Sequence, residues 1–364
     1  IFTNKYAEGY PGKRYYAGCE NADEVENLAI SRGKKLFSSK HINVQPHSGS
    51  QANMAAYVSL LKPGDKILSL SLDHGGHLSH GHNVNFSGKI YEIHNYYLNR
   101  ESELLDYDQI NDIAEKVKPK LIICGYSAYS RIIDFNKFKS ISQKVDSLLM
   151  ADIAHIAGLV VSGKHPSPVG IADIITSTTH KTLRGPRGGL AIIREDLSSK
   201  YDRGVFPAIQ GGPLMNTILA KAAAFEEALS NNFIEYSQQI IDNAKVLANL
   251  FLDRGLRLVS GGTDNHLMLI DTRSIGINGD EAENKLNEVG IVVNKNAIPF
   301  DPMPPKITSG IRIGTPAITS RQISNDDLLK IGDVIVDCLS TSSKKNTSVF
   351  SKEVQKIMNK LPLP

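Results

Sequence analysis

The chain has 364 residues, 41% hydrophobic and 22% charged, which is typical of a globular protein and long enough for two domains. Its 41 Lys and Arg residues against 38 Asp and Glu residues leave a formal net charge of +3, which argues against nucleic acid as the main partner. No apolar run approaches the roughly 20 residues that span a bilayer, so we expect no membrane partner.

The cysteines and the first residue bear on the cellular compartment. Cys19, Cys124 and Cys338 lie far apart and form no CxxC pair, which disfavours a disulfide framework or a cysteine zinc site and predicts a cytoplasmic protein. The chain begins at Ile1, without Met and without a basic-then-apolar signal pattern. We therefore expect that an amino-terminal segment precedes Ile1.

Two helical patterns stand near the start of the chain. One helix is predicted after Asn21, which precedes the acidic run that begins at Asp23. A second helical pattern runs from Ser50 until Pro63 and Gly64 stop it. The first residues of both patterns are polar, as expected where a helix start leaves backbone N–H groups without partners.

Short strand-like runs then alternate with helix-like runs between residues 65 and 195. The runs are almost continuously apolar and begin at Lys66, Lys120, Ser147, Asp173 and Gly189. Such runs predict an α/β domain with a mostly parallel sheet that is covered on both faces. Ligands of such sheets gather beyond the carboxyl ends of the strands, so we expect the functional residues there.

The pattern changes after Pro213. Helical periodicity fills residues 219–252, and short strand-like runs follow near residues 266–270 and 290–293. These elements predict a second, smaller α+β domain.

The predicted domains are a large one at residues 1–228 and a small one at residues 229–364. Near the end, a polar segment at residues 340–348 is typical of a linker, and a last helix is predicted at residues 354–361.

The densest group of reactive residues surrounds Lys181, which follows an apolar strand and stands among hydroxyl groups and glycines. An oriented, partly desolvated amine suits a Schiff base with an aldehyde cofactor. Asp152 ends the preceding strand, where a buried carboxylate needs a cationic partner. The protonated pyridine nitrogen of pyridoxal phosphate supplies one, so the pair predicts this cofactor. The alternatives are a solvated surface lysine and an Asp152 that caps a turn or binds a metal with His155.

Two segments are candidates for binding the cofactor phosphate. Ser48, Gly49 and Ser50 precede an Ala-rich helix and offer hydroxyl groups and backbone N–H groups. Gly211 and Gly212 form a second turn with accessible backbone, in one subunit or a neighbouring one. The alternatives are an ordinary helix cap and an ordinary turn before the next helix.

Two further positions are candidates for ligand contacts. Residues 73–82 hold four histidines, but the glycines between them predict a loop in which His77 stacks on a cofactor ring, and a metal site is the alternative. Arg312 lies in a short strand of the small domain and suits a bidentate grip on an amino-acid carboxylate. An exposed structural arginine is the alternative there.

Eight blocks in order resemble the serine hydroxymethyltransferase family, pyridoxal-phosphate enzymes of fold type I with the aspartate-aminotransferase-like fold. The chain departs from the family pattern at Ala208 and Asn216, where the family usually has Gly and His. The blocks are Tyr6–Tyr16, Pro46–Asn53, Asp73–Gly81, Ser127–Ser130, Ala151–Gly158, Thr178–Gly189, Gln210–Met215 and Ser309–Pro316.

The resemblance implies a set of residues around the cofactor. Pyridoxal phosphate would be covalently attached to Lys181, with His180 beside it in the same site. Asp152 would pair with the pyridine nitrogen, and His77 would stack on the ring. The remaining implied contacts are those of Ser127 and His155 near the ring hydroxyl, Ser48, Gly49, Ser50, Gly211 and Gly212 at the phosphate, and Arg312 at the substrate carboxylate.

The resemblance also implies a homodimer with shared active sites. Tyr6, Glu8 and Tyr16 would reach into the partner's site together with Gly211 and Gly212, and Glu8 would handle a proton at the serine hydroxyl and the folate. The residues expected where the family binds tetrahydrofolate are Leu72, Gly76, Leu78, Asn296, Met303, Pro304 and Pro305.

The implied reaction converts L-serine and tetrahydrofolate to glycine and 5,10-methylenetetrahydrofolate, a step of glycine biosynthesis and one-carbon metabolism. A threonine-aldolase-like enzyme of the same fold, which needs no folate, is the closest alternative. A cofactor-binding or RNA-binding protein that keeps the fold without the activity is a more distant one.

Overall fold

The computed structural model describes residues 3–341 and 347–363. Within these ranges no helix has the length and apolar character that crossing a membrane requires. The helices are α1 (Glu20–Phe37), α2 (Gly49–Leu60), α3 (Phe86–Ile90), α4 (Tyr107–Val117), α5 (Phe135–Lys144), α6 (Ala157–Val161), α7 (Glu195–Arg203), α8 (Met215–Ala228), α9 (Asn231–Asp253), α10 (Gly279–Glu288), α11 (Pro316–Ser320), α12 (Asn325–Ser340) and α13 (Thr347–Met358).

The strands form a hairpin and two sheets. They are β1 (Gly9–Tyr10), β2 (Lys13–Arg14), β3 (Ile42–Asn43), β4 (Lys66–Leu70), β5 (Glu92–Tyr96), β6 (Leu121–Cys124), β7 (Leu148–Asp152), β8 (Ile174–Thr178), β9 (Gly189–Ile193), β10 (Arg257–Leu258), β11 (Leu267–Asp271), β12 (Asn294–Asn296) and β13 (Gly310–Gly314).

The large sheet has seven strands in the order β3-β9-β8-β7-β6-β4-β5. The pairings among β4, β5, β6, β7 and β8 are parallel, and the pairings of β9 with β8 and β3 are antiparallel. The central strands β6 and β7 are apolar at nearly every position because both faces of the sheet are covered. Ile122 and Leu149 pack with Phe138 on one face of the sheet. Leu121 and Met150 pack on the opposite face.

The parallel strands bring distant parts of the sequence to one edge. Strands β4, β6, β7 and β8 all end at this edge, so the segments that follow Leu70, Cys124, Asp152 and Thr178 lie side by side. This edge is where the sequence predicts the functional residues.

The small sheet has four antiparallel strands in the order β10-β11-β13-β12. Helices α9, α10 and α12 pack around it, and their apolar residues form a core separate from that of the large sheet. All strands of the large sheet lie before residue 194 and those of the small sheet after residue 256. The boundary between residues 228 and 229 stays a prediction.

Several predicted elements differ from the structure. The first helix begins at Glu20 after Cys19 and not after Asn21, because Asn21 is already within the first turn. The second begins at Gly49, and the Ser48 side chain caps it by accepting a hydrogen bond from the backbone N–H of Gln51.

Three further differences lie in the second half of the chain. The helical stretch at residues 219–252 is two helices, α8 and α9, separated at Leu229 and Ser230. No strand forms at residues 290–293; β12 follows at Asn294–Asn296, where the backbone pairs with β13. The last helix runs from Thr347 to Met358, and residues 342–346 of the predicted linker lie outside the described residues.

Candidate active site

A cavity of about 200 Å³ lies at the carboxyl edge of the large sheet, and we call it the strand-end cavity. Asp152 is the last residue of β7, Lys181 follows β8, and Ser127 follows β6. Nine of the eleven residues predicted to bind the cofactor line this cavity: Ser48, Gly49, Ser50, His77, Ser127, Asp152, His155, His180 and Lys181.

Asp152 is held by three hydrogen bonds. Its Oδ2 accepts from the side-chain amide of Asn53 at 2.9 Å and lies 2.9 Å from Nε2 of His80, while its Oδ1 accepts from the backbone N–H of Ala154 at 3.0 Å. Burial alone would raise the pKa of Asp152, but the hydrogen bond and charge of His80 outweigh it and hold the pKa well below its usual value. The carboxylate is therefore ionised and fixed in position.

Gly125 allows the end of β7, which carries this carboxylate, to lie close to the end of β6. Gly125 directly follows β6 and has a φ of +99°, which L-residues with a side chain rarely adopt. A Cβ atom there would lie 1.9 Å from the carbonyl oxygen of Asp152. Only glycine fits between the ends of these two strands.

His77 lies on the other side of the same cluster. Its Nδ1 accepts a hydrogen bond from the backbone N–H of Ser79 at 3.2 Å and lies 2.7 Å from the Ser79 hydroxyl, which also accepts from Asn53. The ring centroids of His77 and His80 are 5.5 Å apart. Burial, with the nearby His80, lowers the pKa of His77 to about 4, so its ring is neutral at physiological pH.

Lys181 contributes the amine of the strand-end cavity. Within residues 3–341 and 347–363, its Nζ makes no hydrogen bond and no salt bridge. Burial lowers the pKa of Lys181, and Arg312 and Arg187 lower it further, while Asp152 acts in the opposite direction. The amine is thus more readily deprotonated than a solvated lysine.

The amino-terminal end of α2 forms the third part of the cavity wall. This helix has 12 residues, and Ser48, Gly49 and Ser50 at its start face the cavity. The N–H groups of a first helical turn carry partial positive charge and bind anions. A Cβ at Gly49 would lie 2.7 Å from the Thr178 methyl group, so β8 packs directly against this helix start.

A larger cavity of about 640 Å³ adjoins the first and contains Arg312, so we call it the Arg312 cavity. The guanidinium group donates to the carbonyl oxygen of Ser127 at 2.7 Å and to Asn294 at 3.1 Å. Burial lowers the pKa of Arg312. The ring of His155 stacks against that of His266 with centroids 5.7 Å apart. Three residues, His155, His180 and Lys181, line both cavities.

The family model for serine hydroxymethyltransferase matches residues 1–335. A serine hydroxymethyltransferase of Nostoc sp. (strain PCC 7120) is 53% identical over 365 residues, which cover 100% of this chain and 86% of the relative. One of Rippkaea orientalis (strain PCC 8801) is 56% identical over 340 residues, which cover 93% of this chain and 80% of the relative.

The chain belongs to the serine hydroxymethyltransferase family. The predicted resemblance is therefore confirmed, and so is the prediction of a fold-type I α/β architecture. In the described part of the chain, no group of three or more His, Cys, Asp or Glu side chains is arranged to hold a metal ion.

Five residues that the family resemblance assigns to a site shared between subunits line neither the strand-end cavity nor the Arg312 cavity. The rings of Tyr6 and Tyr16 are in contact, with centroids 5.3 Å apart, and both are exposed. A Cβ at Gly212 would lie 3.6 Å from Cγ of Glu8, so the Gln210–Pro213 turn, with Gly211, is close to the same segment. Within one chain, the structure does not bring Tyr6, Glu8, Tyr16, Gly211 and Gly212 to Lys181.

The residues predicted at the folate site are divided between two neighbouring segments. Leu72, Gly76 and Leu78 belong to the loop after β4, and Leu78 is exposed. The rings of His74, in that loop, and Phe300 lie 4.4 Å apart, which joins the loop to the segment that contains Met303. Pro304 and Pro305 are exposed in that segment, and Asn296 in β12 donates to the carbonyl of Ala297 at 2.6 Å.

Sequence reasoning missed several side chains that contact the predicted site residues. Asn53 and His80 hold Asp152, Asn294 accepts from Arg312, and His266 stacks on His155. Asn53 and His80 lie inside blocks that carry the family resemblance, so their position was a usable signal. Asn294 and His266 lie outside these blocks, so the sequence offered no signal for their contacts.

Proposed function

We infer that this chain is a pyridoxal-phosphate-dependent serine hydroxymethyltransferase, which reversibly converts L-serine and tetrahydrofolate to glycine and 5,10-methylenetetrahydrofolate. Family membership and the names of both relatives support this function. The observation within the chain that carries it is the strand-end cavity, where an amine, a carboxylate, imidazole rings and a helix start face one space.

The residues around this cavity fit pyridoxal phosphate. The ionised Asp152 suits the protonated pyridine nitrogen, and the start of α2 suits the phosphate. The neutral ring of His77 suits stacking, and Ser127 and His155 suit polar contacts to the ring hydroxyl. When bound, the cofactor supplies a cationic ring that withdraws electrons from the substrate α-carbon.

Lys181 is the proposed point of covalent attachment. Only a neutral amine bonds to an aldehyde carbon, and the lowered pKa of Lys181 increases the neutral fraction. Its neighbour His180 lies 3.3 Å from Nη1 of Arg187 and accepts a 3.4 Å hydrogen bond from the backbone N–H of Gly188. These contacts hold the segment from which Lys181 projects.

Arg312 is the proposed partner of the substrate carboxylate. Arg312 belongs to β13, and its half-buried side chain lies against the carbonyl oxygen of Ser127. The described residues offer it no carboxylate within 4.0 Å. A half-buried guanidinium group without a paired carboxylate favours the binding of an anion. An amino acid held there would extend from the Arg312 cavity to Lys181, which lines both cavities.

The remaining residues support a homodimer with shared sites. Tyr6, Tyr16 and Glu8 are polar groups on the surface segment around β1 and β2, away from the strand-end cavity of their own chain. We place them, with Gly211 and Gly212, in the site of a second copy. There Glu8 would exchange a proton with the serine hydroxyl and the folate, and a carboxyl group is a suitable acid and base for this step.

Turnover assays separate this function from the folate-independent alternative. Purified protein loaded with pyridoxal phosphate should convert serine to glycine only when tetrahydrofolate is present. The same conversion rate without tetrahydrofolate would favour the threonine-aldolase-like activity. Glu8→Gln should lose most of the folate-dependent rate, and a variant with full turnover would show that Glu8 does not handle the proton.

Chemical trapping locates the attachment point. Reduction with borohydride should fix the cofactor to the peptide that contains Lys181, as mass spectrometry of a digest would show. Lys181→Arg should abolish the label, whereas Lys200→Arg, at an exposed lysine on α7, should leave it unchanged. A label on any other lysine of the wild-type protein would contradict the assignment.

A further inference from the structure

Lys221 is a buried lysine to which the proposed reaction assigns no role. It lies on α8 and is 1% exposed, one of the largest fully buried side chains. Its Nζ donates to the carbonyl oxygens of Val44 at 2.6 Å, Pro46 at 3.1 Å and Gly189 at 2.7 Å. All three hydrogens of an ammonium group are therefore used.

These carbonyl groups belong to the two segments that pack around the start of α2. Pro46 comes two residues before Ser48, which caps the helix, and its carbonyl also accepts from the backbone N–H of Gly189 at 2.9 Å. A Cβ at Gly189 would lie 2.3 Å from the carbonyl oxygen of Ser48. Lys221 thus supports the helix start from inside the protein.

The charge of Lys221 is not neutralised by an ion pair. Among residues 3–341 and 347–363, no carboxylate oxygen lies within 4.0 Å of its Nζ. Burial lowers its pKa to about 7, while Glu26 and the three carbonyl oxygens favour the ammonium form. Its charge also lowers the pKa of His47, directly before Ser48, so its field reaches the helix start.

We propose that Lys221 is a positioning residue for the cofactor phosphate: it holds the segment before α2 and, in its ammonium form, adds buried positive charge behind Ser48, Gly49 and Ser50. The proposal rests on the pyridoxal-phosphate-dependent function. Lys221 itself does not touch the phosphate, and its effect on phosphate binding passes through the backbone of residues 44–48 and through its field. A buried charge acts strongly on a neighbouring helix start because little water screens it.

The test compares two aldehydes that differ only in the phosphate. Binding of pyridoxal phosphate and of pyridoxal to cofactor-free protein is measured for the wild type, Lys221→Met, Lys221→Arg and the control Lys245→Met. Lys245 is an exposed lysine on the neighbouring helix α9. For Lys221→Met we expect the dissociation constant of pyridoxal phosphate to rise about tenfold to hundredfold, and that of pyridoxal by less than about threefold.

The outcomes divide clearly. Equal losses for both aldehydes, or no loss for either, would overturn the proposal, because the first indicates general structural damage and the second no role. Lys221→Arg should recover part of the preference for the phosphate-bearing aldehyde. If the wild type itself does not bind pyridoxal phosphate, the proposed function is wrong. If the wild type binds it but Lys221→Met shows no selective loss, only the proposal for Lys221 is wrong.

A measurement on the wild type covers the case in which Lys221→Met does not fold. In protein labelled with ¹³C at the lysine ε-carbon, the Lys221 resonance should shift when inorganic phosphate is added to the cofactor-free protein, and the Lys245 resonance should not. No shift of the Lys221 signal at saturating phosphate would overturn the proposal.

Discussion

Replacement of Arg14 by methionine tests the buried cluster that holds the Glu8 segment. The Arg14 side chain is 3% exposed, and its Nη1 donates to the carbonyl oxygens of Ala7 at 2.9 Å and Gly9 at 3.0 Å, one on each side of Glu8. Its Nη2 pairs with the buried Glu26 at 2.8 Å. Arg14 therefore fixes the backbone that carries Glu8.

The expected loss of stability follows from these contacts. Methionine fills a similar volume but donates no hydrogen bond, and it leaves the Glu26 carboxylate buried without its cation. Removal of one partner from a buried ion pair costs about 3–5 kcal/mol. For a chain of 364 residues, this corresponds to a decrease of about 4–7 °C in the midpoint of thermal unfolding.

The loss should depend on pH. Burial raises the pKa of Glu26 above its ordinary value of 4.5, and Arg14 lowers it, so Arg14→Met should raise it further. A folded state that binds more protons than the unfolded state loses stability as pH rises through this range. The deficit of Arg14→Met should therefore be smaller below pH 4.5 than at neutral pH.

Scanning calorimetry at several pH values measures both effects, and Lys13→Met, an exposed cation in the same short strand, is the control. It should unfold within about 1 °C of the wild type, because exposed charges contribute little. Equal midpoints for Arg14→Met and Lys13→Met would refute the reasoning, as would a deficit for Arg14→Met that grows on acidification.

Three further predictions concern the site and its surroundings. Gly125→Ala would place a Cβ 1.9 Å from the Asp152 carbonyl oxygen, so we expect weaker cofactor binding and about 1–3 kcal/mol less stability; unchanged cofactor absorbance would contradict this. Phe300 has a φ of 58°, which Asn tolerates better than Ala, so Phe300→Ala should unfold at a lower temperature than Phe300→Asn. Burial lowers the pKa of Lys181 from 10.5, so reductive methylation of the cofactor-free protein should modify Lys181 at lower pH than the exposed lysines. Modification of Lys181 at the same pH as the exposed lysines would contradict the lowered pKa.

The large sheet could be predicted because a strand that is buried on both faces is rich in apolar residues, and this can be seen in each strand separately. Strand β9 is buried at all five positions, and β6 at all four, and each appears in the sequence as a short apolar run. The rule that ligands gather at the carboxyl ends of such strands then placed Asp152 and Lys181 at one edge. No knowledge of strand order was needed for that step.

The edges of both sheets could not be predicted in this way. Strand β5 reads Glu-Ile-His-Asn-Tyr and has one neighbour in the described sheet, β4, so water reaches part of it. Because several of its residues are polar, it does not show the apolar run that is typical of a buried strand. In the small sheet, the apolar run at residues 290–293 suggests a strand, but Val292 is 85% exposed. The pairing with β13 is made by the polar residues of β12, and tertiary contact decides this register.

The contacts around Asp152 were beyond sequence reasoning for a different reason. His80 and Asn53 are 72 and 99 residues away along the chain, and hydrogen bonds over such separations depend on the angles between packed elements. A histidine in a glycine-rich loop has many possible partners. The sequence identified the loop but not which of its four imidazoles meets the carboxylate.

These hidden contacts explain how one cavity keeps its acid and its amine in different states. Desolvation alone would neutralise both Asp152 and Lys181, because it disfavours the charged form of each. The hydrogen bond and charge of His80, together with the hydrogen bond of Asn53, reverse that effect for Asp152 and leave it ionised. Lys181 receives no comparable support from the described residues, so burial lowers its pKa. The acid is consequently fixed and charged, while the amine is free to be neutral, the combination required to hold a cofactor at its ring nitrogen and bond it at its aldehyde carbon.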